Sequence, residues 1–255
     1  MDTPAYRQLA DDLRAAIDSG QYQQGSTLPK ITDLAARYGI AKQTARQAIA
    51  LLEEEGLVEV VRRRGTIVRA LPERHAISRA RQVFRDEIGY YFDPTAQPWR
   101  ALQKPTVTWG PAPRDIAALL RTPTGEDVLI RDRLMGDPTT KEPTQLATSY
   151  LPAALARGTR LADQDTGPGG IYDLLEQHLG HNPLTWHEAI SARMPTQEEA
   201  TALRLPKGTP LLRIVRTATG PDGTVVEVND TRMSATRFEI GYPVTRHPSA
   251  EPATG

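Results

Sequence analysis

The sequence predicts an α+β protein of two domains. Three observations carry this. The first seventy residues hold three stretches with apolar residues at helical spacing, then two short strand-like runs around a turn. From about Gln103 strand-like runs dominate, interleaved with three helical patterns. Between these regions, residues 71–100 carry irregular charge and then aromatics and prolines, which suits a linker and the entry to a second domain over 101–245.

Taken in order, the first helix spans about 4–19. Tyr6, Leu9, Leu13, Ala16 and Ile17 make one apolar stripe, and Gly20 is a stop signal. The loop "QYQQGSTLP" follows. A short helix over 31–38 turns Ile31, Leu34 and Ala35 inward, and Gly39 permits the tight turn out of it. In "IAKQTARQAIALLEEEG", residues 40–56, Ala45, Ala48, Ile49 and Leu52 stand at i, i+3, i+4 and i+7, and Gly56 ends the helix. "LVEVV" and "TIVRA" are strands joined by the basic tip "RRRG". Helix, helix, tight turn, helix and basic hairpin make a winged helix-turn-helix pattern.

In the second domain the strand candidates are "KPTVTWG", "DVLIRDRLM", "TQLATSYLP", "LTWHEAISARM", "PLLRIVRTAT" and "TVVEVNDTRM". The helical patterns are "PAPRDIAALL", "GGIYDLLEQHLG" and "TQEEATALRL", the last opening with a capping box of Thr196 and Glu199. Hairpin-like neighbours such as "TATGPDGTVVEV" indicate an antiparallel sheet. There is no internal repeat. The Pro/Ala-rich tail, 246–255, is expected to be disordered.

Composition narrows the function classes. The chain has 255 residues and no cysteine, which excludes disulfides and thiolate metal sites. No apolar run approaches the roughly 20 residues that span a bilayer, and the N-terminus lacks a signal-peptide pattern, so a cytoplasmic protein without membrane contact is expected. Formal net charge is zero, yet bases cluster at Arg37, Lys42, Arg46, Arg62, Arg63, Arg64 and Arg69. Acids lie elsewhere, at Asp11, Asp12, Asp18, Glu53, Glu54 and Glu55. His178, His181 and His187 have spacing that can hold zinc, but no fourth ligand is evident, so neither metal nor cofactor is expected. None of the common catalytic signatures is present, and no enzyme activity is expected.

The third helix leaves Lys42, Gln43, Thr44, Arg46 and Gln47 free near its start. A recognition helix presents such residues to base edges and phosphates in the major groove. Three adjacent arginines, Arg62, Arg63 and Arg64, repel one another and gain where phosphates absorb the charge. Arg7, Lys30 and Gly65 complete the candidate DNA-binding set. The competing reading is a solvated basic hairpin on a helical domain that binds protein.

Residues 6–68 resemble the winged-helix domain of GntR-family bacterial transcription regulators. The marks are Tyr6, I-x-S-G at 17–20, Gly25, Leu28-Pro29, Leu34-Ala35, Thr44-x-Arg46, the segment 52–58 and Gly65-Thr66. The family usually has serine where Lys30 stands, Ser-Arg at Ala41-Lys42, and a Gly-x-Gly wing at Arg63-Arg64-Gly65. The rest is similar to the UTRA domain of the HutC-type branch, on "VLIRDRLM", "SYLP", "GGIYDLLEQHLG" and "VVEVNDTRMSATRFEI". That resemblance implies a chorismate-lyase-like antiparallel sheet with helices, a homodimer on palindromic double-stranded DNA, and a small-molecule effector that changes DNA affinity. The expected function is therefore a DNA-binding transcriptional repressor. A lyase-like enzyme domain fused to a DNA-targeting arm is the alternative, and a binding adaptor without effector is a third.

Strand alternation puts Arg131 and Arg133 on one face with Asp132 opposite. Two neighbouring guanidiniums suit an anion, and in relatives the pair belongs to the effector site. Surface arginines paired with acids on a neighbouring strand are the plainer alternative. The resemblance adds Ser149, Glu227 and Met233 to the candidate effector-binding set. Ala147 stands where amino-sugar-type relatives often have glutamate, and Met233 where they have an aromatic. Both changes point to a more apolar pocket. The loop "GYYFDP", 89–94, could close one side of it.

Overall fold

The computed structural model describes residues 3–70, 74–79, 81–85, 89–92, 99–167 and 169–246. The chain divides into two compact units, 1–73 with 194–210, and 74–193 with 211–255. Residues 194–210, expected within the second domain, cluster with the first. The expected linker and entry segment, 71–100, holds short strands among its described residues. Most of the expected tail lies outside the described residues. No described helix is long and apolar enough to cross a membrane.

In the first unit, helices α1 (Ala5–Asp18), α2 (Ile31–Tyr38) and α3 (Lys42–Glu54) precede strands β1 (Val58–Val61) and β2 (Gly65–Val68). Their apolar stripes meet in one core of Leu9, Leu13, Leu34, Ala45, Ile49 and Leu52, closed by Val58 and Val68. Gly39 ends α2 in the left-handed region, φ 62°, which frees the chain to turn at once into α3. The loop before α2 is more ordered than its composition suggests. Thr27 bridges Ile67, and Leu28 N–H donates to the Thr66 carbonyl at 2.8 Å, so the loop is pinned to the edge of the two-stranded wing.

The acidic end of α3 is neutralised inside this unit. Arg14 grips Glu55 at 2.7 Å, and the Glu53 carboxylate accepts from Val60 N–H at 3.2 Å. Lys207 stands 3.7 Å from Glu53 and 3.8 Å from Glu54. The segment carrying Lys207 contains a short helix, Gln197–Ala202, and its Thr196–Glu199 capping box is formed. Gly208, φ 73°, approaches so closely that a Cβ would lie 2.5 Å from the Glu54 carbonyl oxygen.

The second unit is an antiparallel sheet. Its long strands are β7 (Thr106–Pro111), β8 (Asp127–Gly136), β9 (Pro143–Pro152), β10 (Thr185–Arg193), β11 (Leu211–Thr219) and β12 (Val225–Ser234). The order is β10-β11-β12-β9-β8, with β7 and the short β6 (Arg100–Ala101) both pairing β8. The segments 71–100 and 238–241 add β3 (His75–Ser78), β4 (Phe84–Arg85), β5 (Tyr90–Tyr91) and β13 (Phe238–Gly241). β13 pairs β3 in parallel, and β4 pairs β5.

Residues alternate between two apolar layers. On one face, α4 (Arg114–Leu120) packs Ile116, Ala117 and Leu120 against Val128, Tyr150 and Val228. On the other, α5 (Ala153–Ala156) and α6 (Gly170–Asp173) pack with Leu129, Leu151, Ala218 and Val226. A β-bulge sits at the start of β12. Ala218 faces Glu227 and Thr219 faces Val225, which leaves Val226 as the extra residue.

Candidate functional site

Two places in the molecule gather the chemistry that the sequence singles out. The first is the cationic edge of the winged unit. Along α3 the buried positions are Ala45, Ala48, Ile49 and Leu52, while Lys42, Gln43, Arg46 and Gln47 are exposed and Thr44 half-buried. Helical periodicity alone produces this division. The α3 N-cap, Ala41, makes no side-chain capping bond, so the first-turn N–H groups have no side-chain partner there. The same holds at the start of α2, where Lys30 is the N-cap.

At the wing, Val61 pairs Gly65, leaving Arg62, Arg63 and Arg64 as an exposed three-residue tip. Arg63 sits in the left-handed region, φ 68°, a strained conformation for a side chain with a Cβ. Arg7, also exposed, lies against the Tyr6 ring, 5.8 Å from its centroid. Among the described residues none of Lys30, Lys42, Arg46, Arg62, Arg63 and Arg64 forms an ion pair. Arg69 differs from the other clustered bases. Its guanidinium donates to the Lys207 carbonyl at 2.7 Å, and burial lowers its pKa.

The second place is a cavity of about 570 Å³ in the other unit. Its floor is the sheet face shared by Arg133 and Met135 of β8, Gln145 and Ala147 of β9, Arg216 of β11, and Glu227, Asn229 and Thr231 of β12. Tyr90, Phe92, Trp99 and Tyr172 form aromatic walls. Tyr172, Phe92 and Trp186 meet edge to face, with centroids 5.6–6.1 Å apart. The wall segment around Tyr90 is tied down twice. Arg85 grips Asp173 at 2.7 Å, and Tyr90 Oη donates to Glu176. Burial and that carboxylate push the Tyr90 phenol up to about 12.

The polar groups of the floor are linked. Arg133 donates to Ser149 Oγ at 2.7 Å, and Asn229 Nδ2 donates to the same oxygen at 3.1 Å. Tyr172 Oη donates to Glu227 Oε2. Burial first, and the Glu227 charge second, hold the Tyr172 phenol far above its usual pKa, so it stays a donor. Arg216 is fixed by Glu188, at 2.7 Å and 2.8 Å, with its guanidinium carbon 3.2 Å from the Phe92 ring centroid.

The five expected effector residues do not all meet here. Arg133 and Glu227 line the cavity. Ser149, fully buried, stands behind it and orients Arg133. Arg131 shares the face, as alternation requires, but is only 4% exposed and turns away. It donates to the carbonyls of Leu161, Asp163 and Gln164, and burial lowers its pKa, with Arg133 adding to that. The expected R-x-R pair is thus one cavity arginine and one that ties down a loop. Met233 is 1% exposed in a core cluster with Ile77, Ile214 and Phe238, outside the cavity lining. Ala147 does line it, and so do Tyr90 and Phe92 of the expected aromatic loop, whose last two residues lie outside the described ones.

Sequence reasoning missed Tyr172, Arg216, Asn229 and Thr231. A signal existed for the last two. In the strand "VVEVNDTRM", alternation puts Glu227, Asn229 and Thr231, three polar groups, on one face of a largely buried strand.

Comparison with known proteins matches a domain to each end of the chain. Residues 5–68 match the model of bacterial regulatory proteins of the gntR family, and residues 106–239 match the UTRA domain. An HTH-type transcriptional regulator of Streptomyces coelicolor, SCO4628, is 35% identical over 94% of this chain and 92% of its own. The HTH-type transcriptional repressor NagR of Bacillus subtilis is 26% identical, covering 88% of each chain. A crystal structure described as that of a GntR-family transcriptional regulator superposes with a TM-score of 0.68, at 26% identity over 96% of this chain and 99% of that one. This protein belongs to the GntR family of bacterial transcriptional regulators, with an N-terminal helix-turn-helix domain and a UTRA domain of the HutC type.

Proposed function

We propose that the protein is a repressor that acts in the cytoplasm as a homodimer on a palindromic operator, and that a small-molecule effector in the cavity sets its DNA affinity. One observation carries the DNA part. The exposed edge of α3 and the wing tip carry bases that no acid neutralises among the described residues, whereas the acids at the far end of α3 are engaged with Arg14 and Lys207. Charge left free on one edge suits a polyanion.

In this reading Lys42, Gln43, Thr44, Arg46 and Gln47 enter the major groove. Glutamine and arginine can each make two bonds to a base edge there. Arg62, Arg63 and Arg64, with Gly65 letting the wing approach closely, hold the neighbouring backbone or minor groove. Arg7 and Lys30 add phosphate contacts, and the uncapped starts of α2 and α3 offer N–H groups to phosphates. The dimer places two α3 helices in successive major grooves, about 34 Å apart.

The effector acts by binding one dimer geometry better than the other, and its differential affinity bounds the change in DNA binding. The name of the Bacillus subtilis relative, a repressor, supports the sign of regulation. Footprinting on the upstream region of the protein's own gene tests the reading. The expected result is a two-fold symmetric footprint that weakens steeply with salt. Absence of protection at low ionic strength, where charge attraction is greatest, would end the proposal.

A further inference from the structure

One base of the cluster around the winged unit stands apart from the DNA-facing edge, and its partners lie far along the chain. Arg69 follows β2 at the root of the wing, where its backbone N–H donates to the Leu57 carbonyl at 2.9 Å. Its guanidinium donates to the Lys207 carbonyl at 2.7 Å and to Thr209 Oγ1 at 3.4 Å. Residues 206–209 form a turn, closed by Thr209 N–H donating to the Pro206 carbonyl at 3.3 Å. The turn also presses on the end of α3. A Cβ at Gly208 would lie 2.5 Å from the Glu54 carbonyl oxygen and 2.9 Å from that of Glu53. A Cβ at Gly56 would lie 3.3 Å from the Gly208 carbonyl oxygen. Glycine at both positions lets the two backbones meet this closely.

The turn thus touches the C-terminal end of α3, the Gly56 bend into β1 and the root of β2. Lys207 is mostly exposed, and its pairs with Glu53 and Glu54 contribute little in solvent. The backbone fit and the two Arg69 bonds hold the attachment. The route of the chain gives it a second meaning. Residues 194–210 are entered from β10 and left into β11. From Thr209 to the first residue of β11, Leu211, the chain spans at most about 7 Å. The start of β11 therefore cannot shift far without pulling the turn. β10 and β11 pair without a break from Thr185–Thr219 to Arg193–Leu211, and between them they hold the Glu188–Arg216 pair at the cavity.

We infer that residues 206–209 are a positioning clamp for DNA binding, which holds the recognition helix and the root of the wing in one fixed relation and passes movements of the β10–β11 pair along the chain to both. The inference rests on the reading of α3 and the wing as the DNA-binding edge, and adds the part that ties this edge to the sheet. Arg69 and Gly208 are positioning residues, since neither contacts DNA in this account. A helix and wing turned slightly out of alignment keep their charges and lose base contacts. The clamp therefore bears on sequence preference rather than on attraction to phosphate.

Salt titrations of the full chain, on the upstream fragment of its own gene and on unrelated DNA, test the clamp. Arg69→Ala and Gly208→Ala are each expected to lower affinity for the upstream fragment at least about fivefold, what losing one base contact costs. Affinity for unrelated DNA and the slope of log affinity against log salt should stay as in the parent. A slope lowered by about one in Arg69→Ala would make Arg69 a phosphate contact and overturn the inference. Full affinity for the upstream fragment in either variant would overturn it too. Hydrogen exchange tests the link to the sheet without DNA. Arg216→Ala, or Glu188→Ala if that variant does not fold, loosens the β10–β11 pair. It is expected to speed exchange at least about threefold at the amides of Glu55, Gly56, Leu57 and Arg69, which are hydrogen-bonded at this junction, while α1 keeps its protection. Adding Gly208→Ala should abolish that effect of Arg216→Ala. Unchanged exchange at the junction in Arg216→Ala, or an effect that survives Gly208→Ala, would overturn the inference. Should the parent chain ignore the upstream fragment at low salt, the DNA reading fails, and exchange alone decides whether the clamp links sheet to helix.

Discussion

The arginines of the two units live in opposite circumstances. At the wing, Arg62, Arg63 and Arg64 stand in solvent, and among the described residues no acid pairs with them. In the second unit, Arg131 is caged by three carbonyls, Arg216 by Glu188, and, on the opposite sheet face, Arg213 by Asp230 and Asp115. The difference follows from the two partners proposed. A duplex presents a continuous line of phosphates, so a surface that meets it keeps charge free and mobile. A small molecule meets a few fixed groups, so most charges around its seat serve to orient one or two. In the proposed reading the same residue type has three roles in this chain, polyanion contact, scaffold and ligand contact, and only its surroundings tell them apart.

Substitution sharpens that contrast. The largest effect is expected at Arg131. Arg131→Ala strands the buried Leu161 carbonyl, frees those of Asp163 and Gln164 and leaves a hole in the sheet face, and should cost about 2–3 kcal/mol of stability, seen as a lower urea midpoint with an unchanged slope. Arg133→Ala loses a single bond to Ser149 and should cost about 1 kcal/mol. Equal costs for the two would erase the distinction between scaffold and cavity arginine. On the DNA side, Arg46→Ala should lose about 1–3 kcal/mol of operator binding without changing the melting temperature. A matching loss on unrelated DNA would show that Arg46 contacts phosphate rather than a base. A smaller, uniform effect is expected from Arg62→Ala, which should lower the slope of log affinity against log salt by about one for every sequence. The subtlest is Arg63→Gly. Relief of the left-handed φ should stabilise the fold by about 1 kcal/mol while DNA binding weakens, two opposite signs from one substitution. A destabilised Arg63→Gly protein would mean that the arginine is held there by contacts that outweigh its backbone strain.

Much of this arrangement was legible in the residues. The α3 face divides as its 3.6-residue period demands, Gly39 turns where a left-handed residue is needed, and the Thr196–Glu199 capping box forms. The six long strands fall where alternation placed them. What was not legible depends on distance in space rather than along the chain. Residues 194–210 read as part of the strand-rich domain, yet Lys207 and Gly208 pack at the end of α3. Period-two alternation put Arg131 and Arg133 on the same face but could not say that one side chain would find the carbonyls of 161–164. Met233 likewise sits on the cavity's side of β12, beyond the cavity itself. The strands β3, β4, β5 and β13 span only two to four residues, too short for any period to show.

The bulge at the start of β12 has a consequence for how such a protein changes. It turns two successive residues inward, so Val226 seats on the apolar layer beneath Tyr172 while Glu227 opens into the cavity. Backbone pairing, not the glutamate, sets that direction. A single codon change at 227 could swap the chemistry displayed there and keep the strand pairing, provided the new side chain still accepts from Tyr172, which gives descendants of this gene a short route to answer a different metabolite.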